Sequence, residues 1–148
     1  MKSKVLKTII FFSLLVLCVI ASACSSLNGK INDNIFNATW ELEFISGPRI
    51  AFSGMYPDKK PMIIFNETTS KVEGSNSCNG YSADYTLSGK EITFGMPGPT
   101  TMMFCGNGEK VFLNSMKKIN TYTIDDLGRL NLMVDGIVMM RFKNVQKN

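Results

Sequence analysis

The stretch Leu130-Asn131-Leu132-Met133-Val134-Asp135-Gly136-Ile137-Val138-Met139-Met140-Arg141-Phe142 contains two apolar runs joined by Asp-Gly. A type I′ turn needs φ above zero at both central residues. Asp-Gly supplies this, and the turn's twist matches that of two antiparallel strands. The stretch therefore predicts a tight hairpin. Working back along the chain, Leu87-Ser88-Gly89-Lys90 predicts a second hairpin, and short apolar runs recur at 62–65, 71–74, 81–87, 91–94 and 122–124 between Gly, Pro, Asn and Asp. Such spacing favours an antiparallel meander closed into a sandwich or barrel.

The meander starts at Thr39-Trp40-Glu41-Leu42-Glu43-Phe44-Ile45. Trp40, Leu42 and Phe44 alternate with Glu41 and Glu43, the pattern of a strand with one face in the core. One segment departs from period two. Between Gly108 and Asn120, Phe112, Met116 and Ile119 fall at i, i+4 and i+7, with Glu109 near the start and Lys117 and Lys118 at the end. This predicts one amphipathic helix whose charges suit its dipole and whose apolar stripe covers an end or face of the sheet. The fold class is thus mostly β: a small curved antiparallel sheet closing toward a barrel, with one packed α-helix.

The N-terminus is of another kind. Met1-Lys2-Ser3-Lys4-Val5-Leu6-Lys7 is basic, residues 8–20 are apolar, and Ala21-Ser22-Ala23 is a small-residue exit before Cys24. These are the three parts of a secretory signal, and the apolar run is too short for a membrane span. Residues 1–23 are therefore expected to be a signal peptide, residues 24–37 a turn-rich flexible tether, and residues 38–148 the folded domain. Ordinary signal peptidase could cut after Ala23. The stretch also resembles a lipobox, in which the Cys after the cleavage point takes a diacylglycerol; the typical Leu three places before that Cys is here Ala21. Lipidation at Cys24 would place the domain in the bacterial cell envelope, anchored to a membrane, the outer one by preference. Ordinary cleavage would leave it soluble, secreted or periplasmic.

Removing the signal changes the charge. The chain has sixteen Lys and Arg and twelve Asp and Glu; three of the lysines lie in residues 1–23, which leaves thirteen bases against twelve acids. A nucleic-acid partner gains no support from this balance. Cys78 and Cys105 are the two cysteines beyond Cys24. Two cysteines in an exported domain suggest a disulfide, with free buried thiols and redox or metal chemistry as the alternatives. A bridge closing that 27-residue loop contributes about 3.5 kcal/mol in the chain-entropy view.

The chain contains no His, so the usual general base and the commonest metal ligand are both missing. Cys78 and Cys105 do not form a Cys-x-x-Cys pair, and Glu41, Glu43, Asp84, Asp125 and Asp126 read as solvated strand faces and turns. No catalytic residue, metal or cofactor is expected. Met62, Met96, Met102, Met103, Met133, Met139 and Met140 are adaptable apolar side chains, which raises the alternative of a small apolar ligand carried inside the barrel.

One set of residues matches a family. Trp40-x-Leu42, Gly74-Ser75-Asn76-Ser77-Cys78-Asn79 with Tyr81 and Tyr85, Thr101-Met102-Met103-Phe104-Cys105, Glu109 and Leu130-x-Leu132 resemble, in order and spacing, the META domain of the heat-shock lipoprotein HslJ family. Ser77 stands where that family usually has Gly, and Phe104 where it has Ala, so the geometry around the two cysteines is expected to differ. The resemblance implies a curved, nearly closed sheet with one helix. It also implies an envelope protein associated with stress, without an established catalytic mechanism. Trp40, Gly74, Asn79, Thr101 and Glu109 are expected to be structural, with the 78–79 and 101–105 segments facing each other. The expected task is non-enzymatic: binding or protecting another envelope component, with the membrane engaged through the N-terminal lipid.

Overall fold

Asp135 and Gly136 have φ of 50° and 80°, the paired positive values a type I′ turn requires, and the flanking strands pair Val134 with Ile137. A computed structural model describes residues 34–36, 38–98, 103 and 106–145. These lie in a compact unit running from Ile31 to Asn148. The expected signal peptide, Cys24, Thr101 and Cys105 fall outside the described residues.

Eight strands follow one another: β1 (Thr39–Ile45), β2 (Met62–Asn66), β3 (Lys71–Ser75), β4 (Gly80–Ser88), β5 (Glu91–Phe94), β6 (Thr121–Ile124), β7 (Leu130–Val134) and β8 (Ile137–Asn144). Each pairs antiparallel with the next, and β8 returns to pair with β1, so the sheet closes into a ring. The pairing is thinnest between β5 and β6, which share the single register pair Glu91 and Thr121. Two helices interrupt the meander. The four-residue α1 (Phe52–Met55) lies between β1 and β2, and α2 (Gly108–Met116) lies between β5 and β6. The short α1 was not expected from a segment punctuated by Gly47, Pro48, Gly54, Pro57 and Pro61. At four residues it offers no helical period to read.

Inward positions fill the ring. Trp40, Leu42, Ile63, Phe65, Val72, Tyr81, Ala83, Tyr85, Ile92, Leu130, Leu132, Met140 and Phe142 are all buried. From α2, Phe112 joins this core: its ring lies 5.6 Å from that of Tyr81 and 6.5 Å from that of Phe142, both edge-on. Phe112, Met116 and Ile119 are buried as expected, but the helix ends at Met116. Beyond it, tighter bonds from the Lys118 and Ile119 N–H groups to Ser115 and Met116 lead the chain to Asn120, whose carbonyl accepts from the Ile92 N–H and opens the β5–β6 pairing.

Two expectations are corrected. Phe44 does not continue the inward face of β1: a register shift between Leu42 and Phe44, opposite Phe142 and Arg141, leaves it 42% exposed, and Ile45 takes the inward place. A bulge of this kind sharpens local twist and helps eight short strands close. The tether boundary is also too late, because Ile35 is only 1% exposed, its carbonyl accepts the Trp40 indole N–H at 2.9 Å, and Phe36 bridges to Phe65. The packed domain thus includes Asn34–Phe36, which shield the ring near the start of β1.

Gly74 shows how tightly the strands approach. A Cβ there would collide with the carbonyl of Met62 on β2. Gly74→Ala is expected to cost about 3 kcal/mol or more, and Phe112→Ala about 3–5 kcal/mol by opening the helix end of the core. Urea denaturation checks both, and an unchanged midpoint for Phe112→Ala would contradict this account of the core.

Candidate functional site

The residues that carry the family resemblance meet where the β3–β4 connection faces the start of α2. Between Ser75 and Gly80 the chain turns back on itself, closed by the Asn76 N–H donating to the Asn79 carbonyl at 3.0 Å. Ser77 holds φ at 130°, on the side of the map that favours glycine, while its hydroxyl donates to the Lys59 carbonyl at 3.1 Å. Serine here therefore keeps a conformation suited to the Gly usual in the family instead of relaxing away from it. Backbone strain of this type costs on the order of 1–3 kcal/mol, and the surrounding bonds must hold it in place.

The turn points both its asparagines at one carboxylate. Asn76 Nδ2 donates to Glu109 Oε1 at 2.7 Å, and Asn79 Nδ2 donates to Glu109 Oε2 at 2.9 Å. Asn79 also reads a backbone segment: its Nδ2 donates to the Met103 carbonyl at 2.7 Å, and its Oδ1 accepts the Met103 N–H at 3.0 Å. A primary amide has the same donor and acceptor set as a peptide unit, so Asn79 pairs with Met103 as a neighbouring strand would. Glu109 lies in the first turn of α2, where a negative charge is favoured by the helix dipole. This clasp joins three stretches distant in sequence.

A second contact fixes α2 from the other side. The Tyr56 hydroxyl donates to the Gly108 carbonyl at 3.0 Å, and a Cβ at Gly108 would lie 2.6 Å from the Met55 carbonyl oxygen and 2.7 Å from the Tyr56 ring. The helix start must therefore be glycine for the α1 segment to approach it. Burial pushes the Tyr56 hydroxyl pKa up to about 12 and raises that of Tyr81 as well. Tyr81 differs in having no hydrogen-bond partner among the described residues, as do Ser75 Oγ and Asn76 Oδ1. Beside Tyr81, under Leu113 and Met116 of α2, is a cavity of about 10 Å³, space for at most a single water.

The expected site residues fall out as follows. Gly74, Asn79 and Glu109 belong to this corner, with Gly74 serving strand approach and the other two the clasp. Trp40 stands elsewhere in the ring, in the core. The 78–79 segment does face Met103, the described residue of the 101–105 stretch, and Cys78 Sγ lies 3.9 Å from the Met103 carbonyl oxygen. Among the described residues no three acids or cysteines converge as metal ligands. Sequence reasoning missed Tyr56, which lacks a local pattern, and the role of Asn76, which it quoted only as part of a motif.

One acid was misread as plain surface. Asp125 Oδ1 accepts the N–H groups of Leu127 and Arg129, and its Oδ2 accepts Arg129 Nε at 2.8 Å and Asn131 Nδ2 at 3.3 Å. Burial pushes its carboxyl up, but the bonds from Arg129, Asn131 and Leu127 outweigh this and hold it below the usual aspartate value. An Asp three residues before a Gly in a short turn is the signal that could have found it.

A small β ring filled by its own side chains, stoppered by one helix and locked by an amide–carboxylate clasp defines the class of domain. The META-domain family model matches residues 33–146, and the chain belongs to that family. A solved structure described as the NMR structure of a protein from Burkholderia xenovorans is similar in fold, with a TM-score of 0.58 at 19% identity, covering 76% of this chain and 85% of that one. No curated protein sequence matches significantly.

Two predictions follow from the geometry. Glu109→Ala leaves both asparagine amides short of their acceptor and is expected to cost about 2–4 kcal/mol, whereas Glu109→Gln keeps one acceptor oxygen and costs less; denaturant titration of the two variants should rank them in that order. Because the native state keeps Tyr56 and Tyr81 protonated, stability is full below about pH 10, the unfolded tyrosine value, and falls as pH rises toward about 12. Urea midpoints measured across that range should decline, and Tyr81→Phe should make the decline shallower without loss of stability at neutral pH. A flat profile in the parent protein would contradict the buried-tyrosine assignment.

Proposed function

We propose that this chain is a non-enzymatic, lipid-anchored lipoprotein of the bacterial cell envelope, whose META domain binds or protects another envelope component under stress. The observation that carries the non-enzymatic reading is the clasp itself. Both carboxylate oxygens of Glu109 and both ends of the Asn79 amide are occupied by other parts of the same chain. The motif thereby spends its polar groups on holding the fold. The anchor reading rests on the basic, apolar and small-residue parts of residues 1–23 and on Cys24. We further assign Cys105 as the partner of Cys78, so that the bridge and the Asn79–Met103 pair secure one segment together.

The carrier alternative is less favoured. Of the methionines considered for a ligand-lined interior, Met140 is buried in the core, Met96 and Met103 are well exposed, and Met102 lies outside the described residues. Phe112, Tyr81 and Phe142 occupy the helix end of the ring where a ligand would enter. A depression of about 480 Å³ on the outer side of α2, lined by Asn107, Glu109, Lys110 and Lys117, is open to solvent.

Intact-mass measurement on the membrane fraction tests the reading. The expected result is a chain starting at Cys24 with acyl chains added there and two hydrogens missing for the bridge; Cys24→Ser should move the protein out of that fraction. An unacylated chain starting at Cys24 in the soluble fraction would refute the anchor. A turnover activity abolished by changing one described side chain would refute the non-enzymatic reading.

A further inference from the structure

The outer face of β7 and β8 holds an arginine without a carboxylate partner among the described residues. Arg141 is opposite Asn131 in the ladder, and its Nε donates to Asn131 Oδ1 at 2.7 Å. Asn131 is a polar residue only 4% exposed, and its Nδ2 donates to Asp125 Oδ2, which also holds Arg129 Nε. Arg129 immediately precedes β7 and Asn131 is its second residue, and both donate to the same oxygen of Asp125. The result is a relay, Arg129–Asp125–Asn131–Arg141, that links two guanidiniums through one carboxylate and one amide.

Three features distinguish this from a solvated charge cluster. Each guanidinium is held by its Nε alone, and the Nη donors of both have no acceptor among the described residues. The group that positions Arg141 is a neutral amide, so one positive charge stays uncompensated; Glu43, on the bulge next to Phe44, forms no ion pair with it. Further along β8, Lys143 shares Glu41 with Lys60, at 3.1 and 3.7 Å, which leaves that end of the face positive too. A guanidinium fixed at Nε presents its two Nη groups as a planar fork, the geometry that takes two oxygens of a phosphate.

We propose that Arg141 and Arg129, splinted by Asn131 and Asp125, form a phosphate-binding site on the outer face of β7 and β8, filled by free phosphate or by the headgroup of an anionic phospholipid. Phe44, exposed, is the register partner of Arg141 across β1 and β8. Arg141 and Arg129 bind; Asn131 is a positioning residue acting through Arg141. The site does not depend on acylation at Cys24.

The test uses the full chain carrying Cys24→Ser, so that an acyl anchor cannot attach it to vesicles. In one arm inorganic phosphate is titrated while the arginine Nε–H and asparagine side-chain signals are followed by NMR. In the other, co-sedimentation with phosphatidylglycerol vesicles is compared with phosphatidylcholine vesicles. Saturable shifts at Arg129, Asn131 and Arg141 support a free-phosphate site, and preferential sedimentation with phosphatidylglycerol supports the headgroup. In whichever arm binds, Arg141→Gln should weaken binding at least tenfold. Arg141→Lys, which keeps the charge but loses the fork, and Asn131→Leu, which keeps Arg141 but frees it, should each weaken binding several-fold. Lys59→Gln, remote from the fork, should change it less than twofold. Binding in neither arm overturns the proposal. So does equal weakening by Lys59→Gln and Arg141→Gln, or Arg141→Lys binding as well as the parent, because either result reports charge alone.

Discussion

A ring of eight short strands has no spare edge, but it has two open ends, and the rest of this structure follows from the need to fill them. At one end Phe112 reaches in from α2 and meets Tyr81 and Phe142. Near the start of β1 Ile35 covers the core and is held by the Trp40 indole N–H. Neither stopper belongs to a strand. Both must be held to the ring by contacts from outside its strands, and that is why many of the polar bonds of this molecule involve turns and the helix start.

The clasp answers that need at the helix end. Glu109 ties the first turn of α2 to the β3–β4 turn, while Tyr56 ties it to the α1 segment. Removing both tethers would leave the helix held by its apolar stripe alone, and a nine-residue helix has little stability of its own. The Asn79–Met103 pair extends the same logic to Met103. In this chain the residues that carry the family resemblance therefore dock one helix and Met103 onto a ring. The hydroxyl of Tyr81 and Oδ1 of Asn76, which have no partner among the described residues, are the cost of crowding polar side chains into that corner.

Most of the ring was legible in the sequence because it is built from local signals. Asp135-Gly136 dictates its turn, Trp40 and Leu42 alternate with Glu41, and Phe112 and Met116 keep helical spacing, so each element could be read within a window of a few residues. Phe44 was misplaced because a bulge opposite Phe142 and Arg141 resets the period, and a bulge depends on the partner strand. Ile35 was assigned to a tether because isolated apolar residues among Asn and Asp carry no period; its burial is decided by Trp40, five positions later. The site divides in the same way. Asn79 and Glu109 were singled out through resemblance, but their bond spans thirty residues and depends on ring closure. The Arg141–Asn131 pair shows as nothing more than two polar residues in strands until the register sets them opposite each other.

Ring closure also has a consequence in time. Thr39 and Val145 are joined by a hydrogen bond of 2.8 Å, so the first and last parts of the ring to be made are neighbours in the finished domain. As the chain is synthesised, β1 must wait for β8 with one edge unpaired, and an open strand edge is a template for pairing with other chains. Contacts between residues more than a hundred positions apart also make closure slow compared with the local hairpins. The domain is thus most open to misassembly in the interval when seven strands exist and the eighth does not, and its two adjacent ends make a rotated chain order, begun at another turn, a sound route to shortening that interval for β1.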